Sequence, residues 1–367
     1  MTWRRHVVAE AETLSDAEVW TYDLGTRGIL SGIILEIEAT NGSTSNTDNH
    51  VHDCVKKIEL TDGARKLLSV TGVQAQALAW ADTGRCPPDV IDENADQVQK
   101  AVFPIWFGRY PGDTEYFIDL SRLSNPKIEV DWDIANVKST GATGFVSGSG
   151  KITCILIKDD IGPFPTAKGY FRKIEQYKWT TAASGDERVK LPVDFPWRRI
   201  MLRAYESGVA MTSSVTDWKL SMDNDKFIFA EEKINRTLDL NIMEVGSLPQ
   251  VEQRILKAND ETFESNIADP LSVQLISEYD ARNVDVTSTT GGKITISLYD
   301  LATPTADTTA RPIKALVKGR GYHNCVFMNF EKLGFFPAPS YGKGDLIVTQ
   351  GNAGAAASVV LEEVATI

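Results

Sequence analysis

Hydrophobic and polar side chains alternate along several short segments of the chain, and turn residues separate these segments. Residues 33–38 follow this pattern, and the apolar positions of residues 55–60 lead into the turn Asp62-Gly63 and a further apolar run, residues 67–70. Alternation at a period of two predicts a strand with one buried face, and Asp-Gly between two such runs predicts a β-hairpin. The first half of the chain is therefore predicted to consist mainly of antiparallel strands.

The same order of segments occurs twice. Residues 24–35 lie over residues 191–202 without a gap, and the hairpin at residues 55–70 resembles residues 215–229. A repeat this long exceeds the repeats of solenoid proteins, so it indicates two whole domains of one kind in tandem. Each half also ends with a strand, a glycine-rich connection and another strand. These are residues 127–137, 140–150 and 152–158 in the first half, and residues 345–350, 351–357 and 358–364 in the second.

Many short strands separated by turns are typical of a sandwich or a jelly roll, so the predicted fold is all-β, with one such domain in residues 1–165 and another in residues 166–367. One short helix is predicted in each half, in residues 87–101, which begin with two prolines, and in residues 249–258, where apolar residues recur at helical spacing. The second half is longer because of residues 259–320, which are predicted to form long loops that bind or project.

The composition is that of a folded, acidic protein, with 42% hydrophobic and 24% charged residues. The net charge of −12 argues against direct binding to nucleic acid, which requires clustered lysine and arginine. The N-terminus has no apolar run of signal-peptide length, and the longest apolar run, residues 102–107, is too short to span a bilayer, so we expect synthesis in the cytoplasm. The widely spaced cysteines fit buried or incidental thiols in a reducing compartment. They are Cys54, Cys86, Cys154 and Cys325.

Candidate catalytic and metal-binding residues are few, because the chain has four histidines. His50, His52 and Cys54 form the most metal-like cluster, since alternate residues of an extended strand would offer two imidazoles on one side. The cluster follows a polar run that is typical of a loop, so a structural role is predicted and metal binding is left open. No catalytic residue and no cofactor are predicted.

Two further patterns have chemical interpretations. Glu129, Asp131 and Asp133 share one face of a predicted strand, and carboxylate pairs serve glycosidases, but a solvated outer face gives the same pattern and is the interpretation we adopt. Residues 141–152 end like a phosphate-binding loop, but Ile152 stands where that motif requires serine or threonine. A connection between two strands is predicted there.

Two segments are candidate contact surfaces. The first segment, residues 3–5, places an aromatic ring and two cations near the start of an acidic chain. This composition suits an anionic membrane surface or an acidic partner, and we expect the segment to lie outside both sandwiches. The second segment, residues 103–110, is rich in aromatic residues and fits either a docking edge between subunits or a core segment. The residues are Trp3, Arg4 and Arg5 in the first segment, and Phe103, Trp106, Phe107 and Tyr110 in the second.

The chain resembles the double jelly-roll major capsid proteins of tailless icosahedral double-stranded DNA viruses, many of which contain an internal membrane. The resemblance rests on the strand-opening segments, residues 22–37 and 189–204, and on the two hairpins. It also rests on residues 107–134, where Phe-Gly-Arg-Tyr-Pro-Gly-Asp precedes Leu-Ser-Arg-Leu-Ser-Asn-Pro and a strand. The similarity covers most of the chain through the pattern and order of its segments.

The resemblance implies two eight-stranded jelly rolls side by side and a homotrimer that presents a pseudo-hexameric capsomer. Residues 259–320 would form outward towers, and the N-terminus would lie inside the shell. The partners would be neighbouring capsomers, minor capsid proteins and, in some viruses, an internal membrane. The protein would be a structural component of the virion, made in the host cytoplasm, without enzymatic residues.

Two alternatives remain at this stage: a carbohydrate-binding or glycan-processing protein built from two jelly rolls, and a structural adhesin or spike. A carbohydrate site needs converging acids, amides and flat aromatic rings. Trp132, Trp197 and Trp218 instead fall in strand-like segments, which favours a structural protein.

Overall fold

Strands make up most of the structure, a computed structural model that describes residues 1–137, 144–277, 283–299 and 308–367. The strands of the first half are β1 (Arg4–Thr13), β2 (Ala17–Asp23), β3 (Ile29–Thr40), β4 (Val55–Asp62), β5 (Arg65–Val70), β6 (Ile91–Asp92), β7 (Val98–Trp106), β8 (Ile118–Asp119), β9 (Pro126–Asp133) and β10 (Lys151–Asp159). Those of the second half are β11 (Tyr170–Thr180), β12 (Gly185–Leu191), β13 (Trp197–Tyr205), β14 (Val215–Met222), β15 (Phe227–Lys233), β16 (Gln250–Lys257), β17 (Thr262–Glu264), β18 (Ile267–Ser277), β19 (Asn283–Thr290), β20 (Lys293–Tyr299), β21 (Arg311–Tyr322), β22 (Cys325–Asn329), β23 (Gly344–Gln350) and β24 (Ala356–Ala365). The α-helices are α1 (Gly72–Thr83), α2 (Met211–Ser214) and α3 (Ile234–Val245), and short 3-10 helices lie at Val51–Cys54, Leu120–Arg122, Glu331–Leu333 and Ala338–Ser340.

Two sheets form the first jelly roll. One has the strand order β1-β10-β3-β7, and the other has the order β2-β9-β4-β5. Alternate residues of each strand point inward, so in β9 Ile128, Val130 and Trp132 are buried while Glu129 and Asp131 lie on the outer face. The buried residues of both sheets belong to one hydrophobic core.

The second jelly roll repeats this topology, with strand orders β11-β24-β13-β22 and β12-β23-β14-β15. Matched in chain order, its strands occupy the same places as those of the first roll, and β13 corresponds to β3. Residues 33–35 and 200–202 therefore lie on equivalent strands, as their alignment predicts. The prediction of two tandem eight-stranded jelly rolls is confirmed. The first roll's last strand ends at Asp159 and the second roll's first strand begins at Tyr170, and the division at residue 165 stays a prediction.

Both predicted helices are wrong in position. Residues 249–258 contain strand β16, in which Val251, Gln253 and Ile255 are buried and the residues between them are exposed. Residues 87–101 contain β6 and the start of β7. The helices α1 and α3 instead follow the hairpins β4–β5 and β14–β15. The sequence pattern missed α1 because that helix is buried continuously over its first nine residues, so it lacks a one-sided apolar stripe.

The long segment of the second half is folded into strands rather than open loops. It contributes to a sheet of order β18-β21-β16-β6 and to a sheet of order β17-β20-β19. Most of its buried apolar residues, including Phe263, Ile294 and Val317, belong to the same core as the first jelly roll. The expectation of loops is therefore corrected, because alternating apolar residues bury one face of β20 and of β21. Residues 278–282 and 300–307 of the segment lie outside the described residues, and the outward orientation of the segment stays a prediction.

A buried carboxyl group, that of Glu93, joins strand β16 of the second half to the first half. The backbone N–H groups of Asp48 and Leu256 donate to its two oxygens, each over 3.3 Å, and the Lys257 Nζ atom lies 3.5 Å from Oε2. Burial raises the pKa of Glu93 to about 7, although Lys257 lowers it, and the nearby Asp48 carboxylate raises it further. The folded chain therefore holds a proton here that the unfolded chain releases near pH 4.5.

Replacing Glu93 with glutamine should remove part of the pH dependence of stability. A raised folded-state pKa means that the wild type loses free energy of unfolding as the pH rises from about 4.5 through 7, by up to roughly 3 kcal/mol from this group. The difference between wild type and variant, measured by urea unfolding across this window, should change by that amount. Glu252 is an exposed residue of β16 that pairs with Lys314, so Glu252→Gln is the control. The difference in free energy of unfolding between the wild type and this variant should not change with pH. If the difference in free energy of unfolding between the wild type and Glu93→Gln is also independent of pH, the prediction is wrong.

Candidate assembly interface

The two jelly rolls are joined by backbone pairing. Strand β5 of the first roll pairs in parallel with β11 of the second, with Leu68 opposite Lys173 and Ser69 opposite Ile174. This pair makes one continuous eight-stranded sheet, of order β2-β9-β4-β5-β11-β24-β13-β22. The junction is therefore an extended sheet as well as a contact between side chains.

Helix α1 reinforces the junction at its start. A capping box fixes the first turn, because Thr71 and Gln74 each donate a backbone N–H to the other's side-chain oxygen, over 2.8 and 3.3 Å. The Gln74 Nε2 atom also donates to Glu175 and Ser358 of the second roll, over 2.6 and 3.0 Å. One glutamine thus caps the start of a helix in the first roll and binds two strands of the second.

A buried charge cluster lies at the other end of α1. We use this name for Asp82 of α1, Lys173 of β11, Arg198 and Arg199 of β13, and Glu362 of β24, whose side chains are at most 4% exposed. The three cations contact Asp82 over 2.9 to 3.0 Å and Glu362 over 2.7 to 3.3 Å. One acid from the first roll therefore lies among four charges from the second.

The cations control the ionisation of both acids. Burial by itself would raise the pKa of Asp82 and of Glu362, but attraction by Arg198, Lys173 and Arg199 outweighs it and holds both pKa values below their ordinary range. A depressed pKa contributes stability that is present above the ordinary carboxyl pKa and is lost as the pH falls through the folded-state value. The charge cluster therefore stays ionised at neutral pH and fixes one roll against the other.

Sequence reasoning missed the charge cluster because its members are far apart in the chain. A signal was present, since Arg198-Arg199 and Glu362-Glu363 interrupt otherwise apolar strands. Charged residues are almost never fully buried unless they are paired. A pair of arginines and a pair of glutamates, each within an apolar strand, therefore indicate a buried ion network.

A groove opens over the charge cluster between the rolls. Within the described part of the chain its lining is charged, small or aliphatic, without a flat aromatic ring, and so it lacks a surface on which a sugar ring could stack. The lining residues are Ala81, Asp82, Thr83, Gly84, Arg109, Arg198, Arg199, Glu244, Val245, Asn329, Glu331, Lys332 and Leu333.

The strands equivalent to β5 and β11, which join the two rolls, are exposed at the two outer edges of the double jelly roll. Strand β5 is mostly buried against the second roll, but the equivalent strand β15 exposes Phe227, Ile228 and Phe229 by 51, 49 and 46%. Strand β11 begins buried, but the equivalent strand β1 is exposed along most of its length and its Val7 is 55% exposed. We call the exposed faces of β15 and β1 the two open edges.

The candidate contact at the N-terminus is placed differently from the expectation. Arg4 and Arg5 begin β1, which pairs with β10, so they lie within the first sandwich rather than outside both. Their side chains are exposed, and Trp3 packs edge-on against Phe117 with ring centroids 6.3 Å apart. The strand forms because residues 4–13 can complete the edge of a sheet. Contact of these residues with a membrane stays a prediction.

The aromatic segment is mainly core. Phe103 and Phe107 are fully buried and Trp106 is 7% exposed, because β7 packs one face on the core and the other under neighbouring residues. These three side chains are therefore unavailable as a surface for another subunit, which corrects the docking interpretation for them. Tyr110 is 51% exposed, and its role at an interface stays a prediction.

The remaining sequence candidates are also resolved in part. Lys56 lies 3.3 Å from Asp131 and 3.4 Å from Asp133 on the outer face of β9, as expected of a solvated surface. Residues 141–143 of the phosphate-loop-like segment lie outside the described residues. The four cysteines are free thiols, and three of them are buried. His50, His52 and Cys54 lie at a buried 3-10 helix rather than on an extended strand.

Solved structures with this topology exist. The crystal structure of the STIV MCP matches 99% of this chain and 97% of that chain, with a TM-score of 0.60 and 9% sequence identity. A chain from the atomic structure of Sulfolobus Turreted Icosahedral Virus matches 99% of this chain over 90% of its own, with a TM-score of 0.59 and 10% identity. A chain of the PBCV-1 virus capsid matches 99% of this chain over 93% of its own, with a TM-score of 0.54 and 9% identity. No protein-family model and no curated protein sequence matches the chain.

The chain therefore has the double jelly-roll fold. The structures that share it here are major capsid proteins of icosahedral viruses. At 9 to 10% identity the agreement concerns the fold.

Proposed function

We propose that the chain is a structural major capsid protein, without enzymatic activity, that assembles as a homotrimer and tiles an icosahedral virion. The observation that carries this proposal is the pair of open edges. Inside the chain, β5 and β11 pair with each other. Their equivalents in the other roll, β15 and β1, are exposed at the two outer edges of the double jelly roll.

A ring of three chains would cover both open edges. In such a ring β15 of one protomer meets β1 of the next, as β5 meets β11 within the chain, and six jelly rolls alternate between intrachain and interchain contacts. Strand β1 begins with two cations, Arg4 and Arg5. Strand β11 likewise has two cations near its start, Arg172 and Lys173, and Lys173 contributes to the charge cluster.

The proposal extends to the place of the protein in the particle. Residues 1–165 and 166–367 would each supply one roll of a pseudo-hexameric capsomer, and the segment 259–320 would form the outward tower. Capsomers would contact their neighbours and minor capsid proteins after synthesis in the host cytoplasm. The net charge of −12 supports a shell that does not bind the genome directly. No helix in the described ranges has the length and apolarity needed to span a membrane.

The carbohydrate-binding alternative has no observation in its favour. The tryptophans that it would require at a surface, such as Trp132, Trp197 and Trp218, are buried in strands of the two sandwiches. The groove between the rolls is lined as described above, by charged and small side chains.

The mass of the purified full chain in solution tests the proposal. Mass photometry and sedimentation velocity should show a stable trimer, with interfaces that bury well over about 2,000 Å² in total, as obligate oligomers do. A chain that stays monomeric at micromolar concentration and binds an oligosaccharide would overturn the capsid assignment in favour of the carbohydrate-binding alternative.

A further inference from the structure

A compact group of potential metal ligands lies inside the first jelly roll. The ligand atoms of His50, His52 and Asp53 all lie within 4.8 Å of one another. Both histidines are buried, and the Asp53 side chain is 10% exposed. We propose that these three side chains bind a divalent transition metal of the zinc class, and that the bound metal stabilises the contact between the first roll and the turn between β21 and β22 of the second half.

The distances within the group are suitable for a metal. The His52 Nε2 atom lies 3.5 Å from the Asp53 Oδ2 atom. A zinc ion about 2.1 Å from each would make an angle close to tetrahedral with them. The rings of His50 and His52 have centroids 5.1 Å apart, so a small rotation brings a nitrogen of His50 to the same ion. Imidazole nitrogen and carboxylate oxygen are both ordinary zinc ligands, and a water molecule would complete the coordination.

A carboxyl group lies near the second nitrogen of the His52 ring. Its second nitrogen, Nδ1, faces the Asp89 Oδ2 atom at 3.8 Å, on the side away from Asp53. Asp89 is itself held by Gln76, whose Nε2 atom donates to both carboxylate oxygens, and by the backbone N–H of Val102. A carboxylate behind a metal-binding histidine fixes the ring and makes it a better ligand. The Asp53 carboxylate also favours a cation beside it.

The sequence cluster differs from the structural one at one position. The Cys54 thiol points to the backbone oxygens of His50 and Ile134, at 3.9 and 3.8 Å, so it is not among the three ligands. The 3-10 helix turns the chain so that Asp53, rather than Cys54, lies beside His52.

The site is next to the turn between β21 and β22 of the second half. His323, in the turn between β21 and β22, packs edge-on against His52 with ring centroids 4.8 Å apart, and its Nε2 atom lies 2.6 Å from the Gln76 Oε1 atom. A metal that fixes His52 therefore also fixes the surface on which His323 packs. The effect is on a contact within one chain, so this inference does not depend on trimer formation.

Metal titration of the full chain tests the inference. After treatment with a chelator and dialysis, the wild type should bind one equivalent of Zn²⁺ in competition with a chromogenic chelator, and Co²⁺ should give the intense visible absorption of a tetrahedral site. Zn²⁺ should also raise the midpoint of thermal unfolding. Wild-type protein that binds neither ion stoichiometrically would overturn the proposal, whatever the variants do.

Conservative variants locate the site. His52→Gln and Asp53→Asn should lose the stoichiometric equivalent, and Asp89→Asn should weaken Zn²⁺ binding by about 10- to 100-fold, as loss of a supporting carboxylate does. His323→Gln is the matched control, because it alters a buried histidine next to the group without removing a ligand, and it should retain the equivalent. Equal binding by wild type and a folded His52→Gln variant would place the metal elsewhere and contradict the inference.

Discussion

Replacing Asp82 with asparagine should lower the free energy of unfolding by about 3 to 5 kcal/mol. Asparagine has nearly the same shape, but it leaves Lys173, Arg198 and Arg199 buried with Glu362 as their fully buried carboxylate partner in the described part of the chain. Uncompensated buried charge is costly because the interior cannot solvate it. Urea unfolding followed by tryptophan fluorescence measures the loss.

The substitution should also loosen one roll from the other. Residues 160–168 connect the rolls and are mostly exposed, so trypsin should cleave at Lys168 faster in the variant than in the wild type. Asp23→Asn is the control, because Asp23 is 71% exposed in its ion pair with Lys127, and it should cost less than about 0.5 kcal/mol. A loss below about 1 kcal/mol for Asp82→Asn would mean that the charge cluster does not fix the junction.

Replacing Ile228 with glutamate on β15 should break the trimer without unfolding the chain. Ile228 is 49% exposed, so the fold tolerates a charge there, but the proposed interface would bury that charge next to β1 of the next protomer. A loss of at least about 2 kcal/mol per interface corresponds to roughly 30-fold weaker association. Mass photometry across a dilution series measures the shift from trimer to monomer.

A matched control separates this effect from general loss of surface apolarity. Val19 is 57% exposed on β2, which is also an edge strand of its sheet but is not one of the open edges. Val19→Glu should leave the trimer intact. An Ile228→Glu variant that remains trimeric at nanomolar concentration would show that β15 is not part of the subunit contact.

The fold could be predicted where the sequence pattern is local. The hairpin at residues 55–70 and the alternation along β9 depend on neighbours in the chain, and both are confirmed. The duplication is confirmed because equivalent strands need similar residues on their buried faces. Helix α1 was missed because it is buried on all sides, and β16 was mistaken for a helix because its Leu256, next to Ile255, obscured the period of two.

The candidate interface could not be predicted in the same way. Asp82 meets Arg198 and Glu362 only after both rolls have folded, and the sequence specifies those distances through tertiary packing. The aromatic segment shows the converse, since Phe103 and Phe107 have the composition of an interface but complete the core. An exposed edge such as β15 was recognisable only by comparison with its buried equivalent, β5.

The position of β24 in the continuous sheet has a consequence for synthesis of the protein on the ribosome. This strand, the last in chain order, lies between β11 and β13 and pairs with both. The first roll has all of its strands once residue 159 has emerged, whereas the sheet of the second roll has a gap until residues 356–365 are available. Strands that pair over long separations form late. We therefore expect nascent chains to carry a folded first roll beside an incomplete second one, so that subunits become competent to associate only after residues 356–365 have emerged.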